Sequence, residues 1–380
     1  MKYLYILAAG LMLAACSQKK NSYSVIELTN TLDFDRTNEL VCVELETEGL
    51  GDLVDENGIS VPYQVTDKGI IFLADVDAKS TKTFTFDSTK PAVTPNRMTS
   101  AFFLGDRRKD DFAFENDKAG YRMYGPALLP ENPSNGVDLW LKHIPDPVMD
   151  DMYKQEENGQ PYHIDYGLGI DSYKVGHAVG CGGVALVYND KLWVGGPFAK
   201  WEILKDGPLQ TIFRLDYDSI LVGETILKET ITVTVNAGSL VNKAEVIFSG
   251  ISLENLYVGG GIFLHNDDSN KLNTGYDYIS YAETATSDKG IYNIHANMGL
   301  DANELDFGRN YVSVIVPGME KCELYNETEV ALKSYKVGET FTYYFGGGWS
   351  KRDYDTDQEW FEATEKTVQA LSYPLKITLK

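Results

Sequence analysis

Lys228-Glu-Thr-Ile-Thr-Val-Thr-Val, ending at Val235, alternates polar and apolar side chains from Thr230 onward. That period of two is the signature of a strand with one face buried. The same reading extends outward to Thr211-Ile-Phe-Arg-Leu-Asp-Tyr on one side and Ala244-Glu-Val-Ile-Phe on the other. Tyr311-Val-Ser-Val-Ile-Val and Glu339-Thr-Phe-Thr-Tyr-Tyr-Phe continue it towards the C-terminus. Strands so spaced predict a large antiparallel β-sandwich. Nearer the N-terminus, Ser24-Val-Ile-Glu-Leu, Leu40-Val-Cys-Val-Glu-Leu, Pro62 to Val65, Ile70-Ile-Phe-Leu and Lys82-Thr-Phe-Thr-Phe are shorter strands broken by turns such as Asp55-Glu-Asn-Gly. They predict a small sandwich of immunoglobulin-like size over residues 24–90. Thr89-Lys-Pro-Ala-Val-Thr-Pro-Asn follows as a linker, with two prolines and no periodicity. The larger domain is expected over residues 98–380. One helix is expected near the end, from Thr356 to Leu371, where Thr356 and Glu359 fit a capping box.

The first residues carry a different signal. Met1-Lys2 supplies positive charge, and Tyr3 to Leu13 is apolar over about a dozen residues, too short to span a bilayer. Leu13-Ala-Ala-Cys16 resembles the lipobox of bacterial lipoproteins. The resemblance implies a signal peptide at residues 1–15, a lipid on Cys16 and a tether over residues 16–23. The residues after the cysteine, Ser17-Gln-Lys-Lys-Asn-Ser, are basic rather than the acidic stretch that resembles a surface-export signal. A periplasm-facing, lipid-anchored chain is therefore expected, touching the membrane through Cys16 alone.

Composition narrows the partners. The 380 residues are 43% hydrophobic and 24% charged, a globular balance, and the formal charge is −22. Nucleic acid is a poor partner for such a surface, because phosphate binding needs a basic face. An anionic sugar would likewise need local Arg or Lys to overcome the overall field. With Cys16 set aside, Cys42, Cys181 and Cys322 show no paired spacing, which argues against a zinc site and a disulfide scaffold.

Chemistry-bearing residues concentrate in residues 105–183. Asp111-Phe-Ala-Phe-Glu-Asn-Asp-Lys-Ala-Gly-Tyr-Arg-Met-Tyr-Gly-Pro and Tyr162-His-Ile-Asp-Tyr-Gly-Leu-Gly-Ile-Asp-Ser-Tyr-Lys-Val-Gly-His are the densest stretches, and Phe345-Gly-Gly-Gly-Trp-Ser-Lys is a third. Arg122 and Tyr124, two apart, share a strand face; the arginine could grip a carboxylate and the tyrosine exchange a proton. His163 and Asp165 are also two apart, so the carboxylate could orient the imidazole as acid or base. A divalent metal at His163 and Asp165, completed by Asp171 or His177, is the alternative, although no zinc-type spacing supports it. His143 is a second proton-transfer candidate. Tyr173 and Lys174 lie in a glycine-punctuated loop suited to ligand approach. Arg107, Glu115 and Asp117 complete the candidates for substrate contact, each with a commoner turn or surface role. Cys181 reads better as a small buried residue than as a nucleophile.

In this order, Glu115-Asn-Asp with Arg122-x-Tyr-Gly-Pro, and His163-x-Asp with Gly-x-Asp-x-Tyr-x-Val-Gly, resemble domain-of-unknown-function family 4861 of Bacteroidetes polysaccharide-utilisation lipoproteins. The resemblance covers essentially the whole mature chain. It implies an oligosaccharide dehydratase acting on the unsaturated uronyl ends that polysaccharide lyases leave, as in ulvan breakdown, with no cofactor. The strand pattern also resembles the galactose-mutarotase-like supersandwich. On that reading Arg122 binds the uronate, His163 oriented by Asp165 moves the proton, and Tyr124, Tyr173 or His143 is the opposite partner. A glycoside hydrolase is the second reading. A non-catalytic glycan-binding protein with Trp193, Trp201 and Trp349 as platforms is the third.

Overall fold

The computed structural model describes residues 24–380 apart from 106, 110, 131, 132, 176, 285–288 and 302–304, and only the backbone of 289–292. The signal peptide, Cys16 and the tether lie outside the described residues.

The small sandwich forms as its alternation predicts. Val25–Thr29 buries Ile26 and Leu28, its even positions, with Phe84 of its own sheet against Val41, Val43 and Phe72 of the facing sheet. One sheet holds Val25–Thr29, Asp52–Asp55 and Thr81–Asp87; the other holds Arg36–Glu44, Tyr63–Val65 and Gly69–Val76. A correction applies to the boundary. The last strand, Lys376–Leu379, returns to pair with Val25–Thr29, so the chain's end belongs to the small sandwich rather than to the large domain. Sequence separation hid this, because the partner strand is more than three hundred residues away.

The large domain is built on an eight-stranded antiparallel sheet containing Gln210–Val222, Thr225–Asn236, Asn242–Gly250, Arg309–Ile315 and Thr340–Trp349. Two five-stranded sheets cover its apolar face. Phe112, Phe114 and Tyr121 from one, and Val184, Leu186 and Val258 from the other, share a core with Phe213, Val233, Val246 and Phe345 of the large sheet. The contact is close at Gly347, where an added Cβ would stand 2.6 Å from a Leu139 methyl. Mainly β architecture of this layered kind is the expected supersandwich.

The first five-stranded sheet positions the site. Its strands are Ser100–Phe103, Asp111–Glu115, Ala119–Tyr124, Asp138–Lys142 and the edge strand Gly169–Asp171. Register pairs Ala113 with Arg122, Arg122 with Asp138, and Trp140 with Asp171. Cross-strand partners share a face. Asp111, Glu115, Arg122, Tyr124, Asp138, Trp140, Lys142 and Asp171 therefore stand together on the face turned away from the large sheet.

That face is covered by helix Met149–Glu157, through Met149, Met152 and Tyr153, and by Tyr162. The sequence reading missed this helix. It is nine residues long and highly charged, and no side chain of its own caps it. Glu115, from a distant strand, accepts the N–H groups of Val148 and Met149 at 2.9 and 3.0 Å instead. Lys289–Asn297 is a second unforeseen helix. The terminal helix Asp357–Ser372 has the expected capping box and buries Trp360.

Candidate functional site

Arg122 is almost wholly buried beneath that helix, and its donors are occupied. Nε and Nη2 meet Asp138 Oδ2 at 2.9 and 2.6 Å, Nη1 reaches Asp111 at 3.2 Å, and Nη2 reaches Asp171 at 3.3 Å. Nη1 also donates to the Tyr162 hydroxyl at 3.2 Å, and the guanidinium lies over the rings of Tyr124, Trp140 and Tyr162. Three carboxylates around one guanidinium leave it no fork for a substrate. The expected carboxylate grip of Arg122 is corrected: it organises a buried cluster. Tyr124 shares its face as expected, but burial, reinforced by Asp138, pushes its phenol well above the usual range. Removed from solvent, it is a core residue rather than a proton donor.

His163 stands at the margin of this cluster. Its Nδ1 lies 2.9 Å from the Asp171 carbonyl and 3.6 Å from that residue's carboxylate. A carbonyl only accepts, so Nδ1 carries the proton and Nε2 presents a lone pair. The side chain is 26% exposed, and burial lowers its proton affinity against the opposing pull of that carbonyl. His163 is thus biased towards its neutral form and fixed in one tautomer, and Nε2 has no hydrogen-bond partner among the described residues.

Asp165 does not orient His163. It sits in a tight turn with Oδ1 accepting the Gly167 N–H at 2.8 Å, and its Oδ2 is 2.7 Å from His143 Nε2. The expected His163–Asp165 pair is corrected to a His143–Asp165 pair, and the proposed metal position at His163 and Asp165 loses its geometry with it. Among the described residues, no three His, Cys, Asp or Glu side chains are grouped as metal ligands. His143 packs on Trp349 with ring centres 4.6 Å apart. Trp349 is buried and donates Nε1 to the Phe307 carbonyl at 2.7 Å, so it supports the histidine instead of offering a sugar platform.

The segment from Asp171 to Lys174 is pinned residue by residue. Ser172 donates its hydroxyl to Asn310 at 3.0 Å, and Asn310 donates to Glu283 at 3.1 Å. The Tyr173 hydroxyl faces the carbonyls of Gly180 and Phe263 at 3.1 and 2.9 Å. Burial raises that phenol well above its usual range, so Tyr173 is corrected from acid partner to structural post. The Lys174 carbonyl lies 2.9 Å from His265 Nε2, whose Nδ1 meets the buried Glu283 at 2.5 Å. The Lys174 side chain is exposed, and the exposed His177 follows it.

The remaining candidates are structural. Glu115 pairs with the buried Lys142 at 2.7 Å while capping the helix. Asp117 accepts the Gly238 N–H at 2.6 Å. Arg107 bridges Asp150 and Glu157 on the surface of the covering helix. These three are corrected from substrate contacts, since each is committed to a fold-holding partner. Cys181 is buried, which pushes its thiol well above the usual range. Cys42, Cys181 and Cys322 are free thiols.

Sequence reasoning missed Asp138, Tyr162, His265 and Glu283. The first was legible in principle. Asp138 and Lys142 are four apart on a short strand, an even spacing that puts them on one face, as it does Asp111 and Glu115. His265 follows a strand of one sheet and Glu283 lies on a strand of another, so they meet across the sandwich, which no local spacing signals.

A family model spans residues 28–377, and it is described as a domain of unknown function (DUF4861). The chain belongs to this family. A relative from Formosa agariphila, "Uncharacterized protein P7", is 25% identical over 99% of this chain and 98% of its own length. Among solved structures, this DUF4861 chain is similar to an α-mannosidase from Enterococcus faecalis V583, with a TM-score of 0.52 and 9% identity. The likeness covers 94% of this chain and 46% of the mannosidase, so the chain spans about half the length of that protein. A glycosyl hydrolase family 38 protein from Enterococcus faecalis aligns with a TM-score of 0.49 and 10% identity, covering 94% of this chain and 47% of its own. At these identities the likeness shows a shared β-rich fold.

Proposed function

We propose that this DUF4861 chain is a carbohydrate-active enzyme of the lyase type, eliminating water from the uronyl end of an anionic oligosaccharide. The observation that carries the proposal is His163: one nitrogen is committed to a fixed carbonyl, and the other has no hydrogen-bond partner among the described residues, on a side chain that is 26% exposed. Such a group is a ready-made general base. The unsaturated uronyl ring has no hydrogen on the carbon beside its carboxylate, so in the proposed step Nε2 takes the proton from the ring carbon next to the allylic, hydroxyl-bearing carbon. The C–H electron pair becomes a carbon–carbon double bond, the C–O bond to the neighbouring hydroxyl breaks, and the departing oxygen takes a proton to leave as water. His143, held by Asp165 through Nε2, is the candidate for that second proton.

The carboxylate contact is assigned to Lys174, whose side chain is exposed and whose backbone carbonyl is held by His265. A cation there would anchor the uronyl carboxylate and fix the ring against Nε2. On the proposed reading the chain works in the periplasm, lipid-anchored at Cys16, on fragments released by polysaccharide lyases. Glycoside hydrolysis is the less favoured route, because the carboxylates found in sequence are committed: Glu115 and Asp117 hold the fold, and Asp111, Asp138 and Asp171 face Arg122.

His163→Ala tests the assignment. Turnover should fall by about 10²–10⁴-fold, the usual contribution of a general base, while the melting temperature stays close to that of the wild type. Near-full activity in a folded His163→Ala protein would remove His163 from the mechanism.

A further inference from the structure

The buried cluster behind His163 has an odd charge count. Asp111, Asp138 and Asp171 supply three carboxyl groups. Arg122 touches all three, and Arg108 Nε lies 3.4 Å from Asp111 Oδ2. Among the described residues, two guanidinium groups therefore face these three carboxyls. Asp138 has the shortest contact with Arg122, and Asp111 has both arginines and the Tyr153 hydroxyl at 3.1 Å. Asp171 is the least compensated: its Arg122 contact is the longest of the three, at 3.3 Å, and the His163 ring, 3.6 Å away, adds positive charge only when protonated. Burial, with Asp138 adding to it, raises the Asp171 carboxyl well above the usual range, as an under-compensated carboxyl should behave.

We infer that Asp171 is the positioning residue of His163, and that the cluster is built to accept the His163 imidazolium as its third cation. The Asp171 carbonyl fixes the Nδ1–H tautomer. Its carboxyl, held in place by Arg122 and driven towards its neutral form by burial, becomes easier to ionise when Nε2 takes up a proton, and so compensates the imidazolium charge. The other charged groups facing His163 are Arg122, which opposes its protonation, and Asp138 and Glu156, which favour it. Asp171 is the one of these whose carboxyl contacts the ring. Asp171 thereby couples a buried network of ionisable groups to a partly exposed imidazole, which explains why so many such groups are kept under helix Met149–Glu157 at the desolvation cost that such burial carries.

The inference rests on the proposed function only for its effect on turnover; the tautomer and the titration can be read without substrate. Nitrogen-15 NMR of the imidazole groups, with His163 assigned through His163→Gln, gives both in the mature chain. In the wild type at neutral pH, Nδ1 should carry the proton and Nε2 should titrate. Asp171→Asn retains the backbone carbonyl, so the tautomer should persist. Its titration midpoint should fall by about one pH unit, a tenfold weaker hold on the proton. If the protein turns over a uronyl oligosaccharide, Asp171→Asn should lower kcat at least about tenfold with KM little changed. An Nε2–H tautomer in the wild type, or an unchanged midpoint in Asp171→Asn, would overturn the inference. Should Asp171→Asn not fold, the wild-type tautomer decides alone. If the NMR results hold while no sugar is turned over, the enzymatic reading fails and the role of Asp171 stands.

Discussion

Glu229 offers a test of the core that is independent of any substrate. It lies on Thr225–Asn236, opposite Tyr217 and Phe248, and the alternation of that strand points it into the sandwich interior. It is 1% exposed, and neither carboxyl oxygen has a hydrogen-bond partner. Burial alone pushes its pKa from 4.5 up to about 8. The folded protein therefore keeps this carboxyl protonated while the unfolded chain ionises above pH 4.5. Between those two values the unfolded state binds fewer protons, so stability falls as pH rises, and the loss is complete above the folded pKa. A shift of that size corresponds to about 4–5 kcal/mol across the window, at roughly 1.4 kcal/mol per unit. Glu229→Gln has nearly the same shape and cannot ionise, so it escapes this loss. Urea unfolding of both proteins at about pH 5 and about pH 8 isolates the term, since other titrating groups cancel in the difference. The stability difference between variant and wild type should grow in favour of Glu229→Gln by several kcal/mol over that range. Parallel curves would refute the reasoning and mean that Glu229 is solvated or partnered in the native protein.

Arg122→Met should destabilise the protein by about 3–5 kcal/mol in chemical denaturation, because it leaves three buried carboxyls without their common cation. A loss below about 1 kcal/mol, the range of exposed ion pairs, would contradict its placement in the core. Thr356→Ala removes one half of the capping box and should cost about 1 kcal/mol, read as an earlier urea midpoint with an unchanged slope. Because burial lowers the proton affinity of His163, its base form persists below the ordinary value of 6.5. The acidic limb of kcat/KM should have its midpoint below that value, and a midpoint above it would assign the limb to another group.

Much of the β framework was readable because alternation is a local signal. Val233 and Val235 face the core, while Thr232 and Thr234 do not, as the period of two requires. The terminal helix was readable for the same reason, since Thr356 and Glu359 cap it from within four residues of sequence. Helix Met149–Glu157 was not readable, because its cap is Glu115 and its apolar side is only Met149, Met152 and Tyr153. The candidate site divides along the same line. That Arg122 and Tyr124 share a face followed from spacing; that three aspartates from three other strands converge on Arg122 depended on register. Asp165 illustrates the risk of proximity in sequence. Two residues from His163, it turns away within its own tight turn and holds His143, which lies across the sheet edge.

The most direct test of the central claim is mass spectrometry of lyase-digested ulvan, pectin and glycosaminoglycan oligosaccharides incubated with the chain lacking residues 1–21. The account predicts that one class loses the mass of a single water from an otherwise intact oligosaccharide, and that the loss disappears with His163→Ala. Smaller sugars released by cleavage of a glycosidic bond, with no dehydrated product, would contradict it.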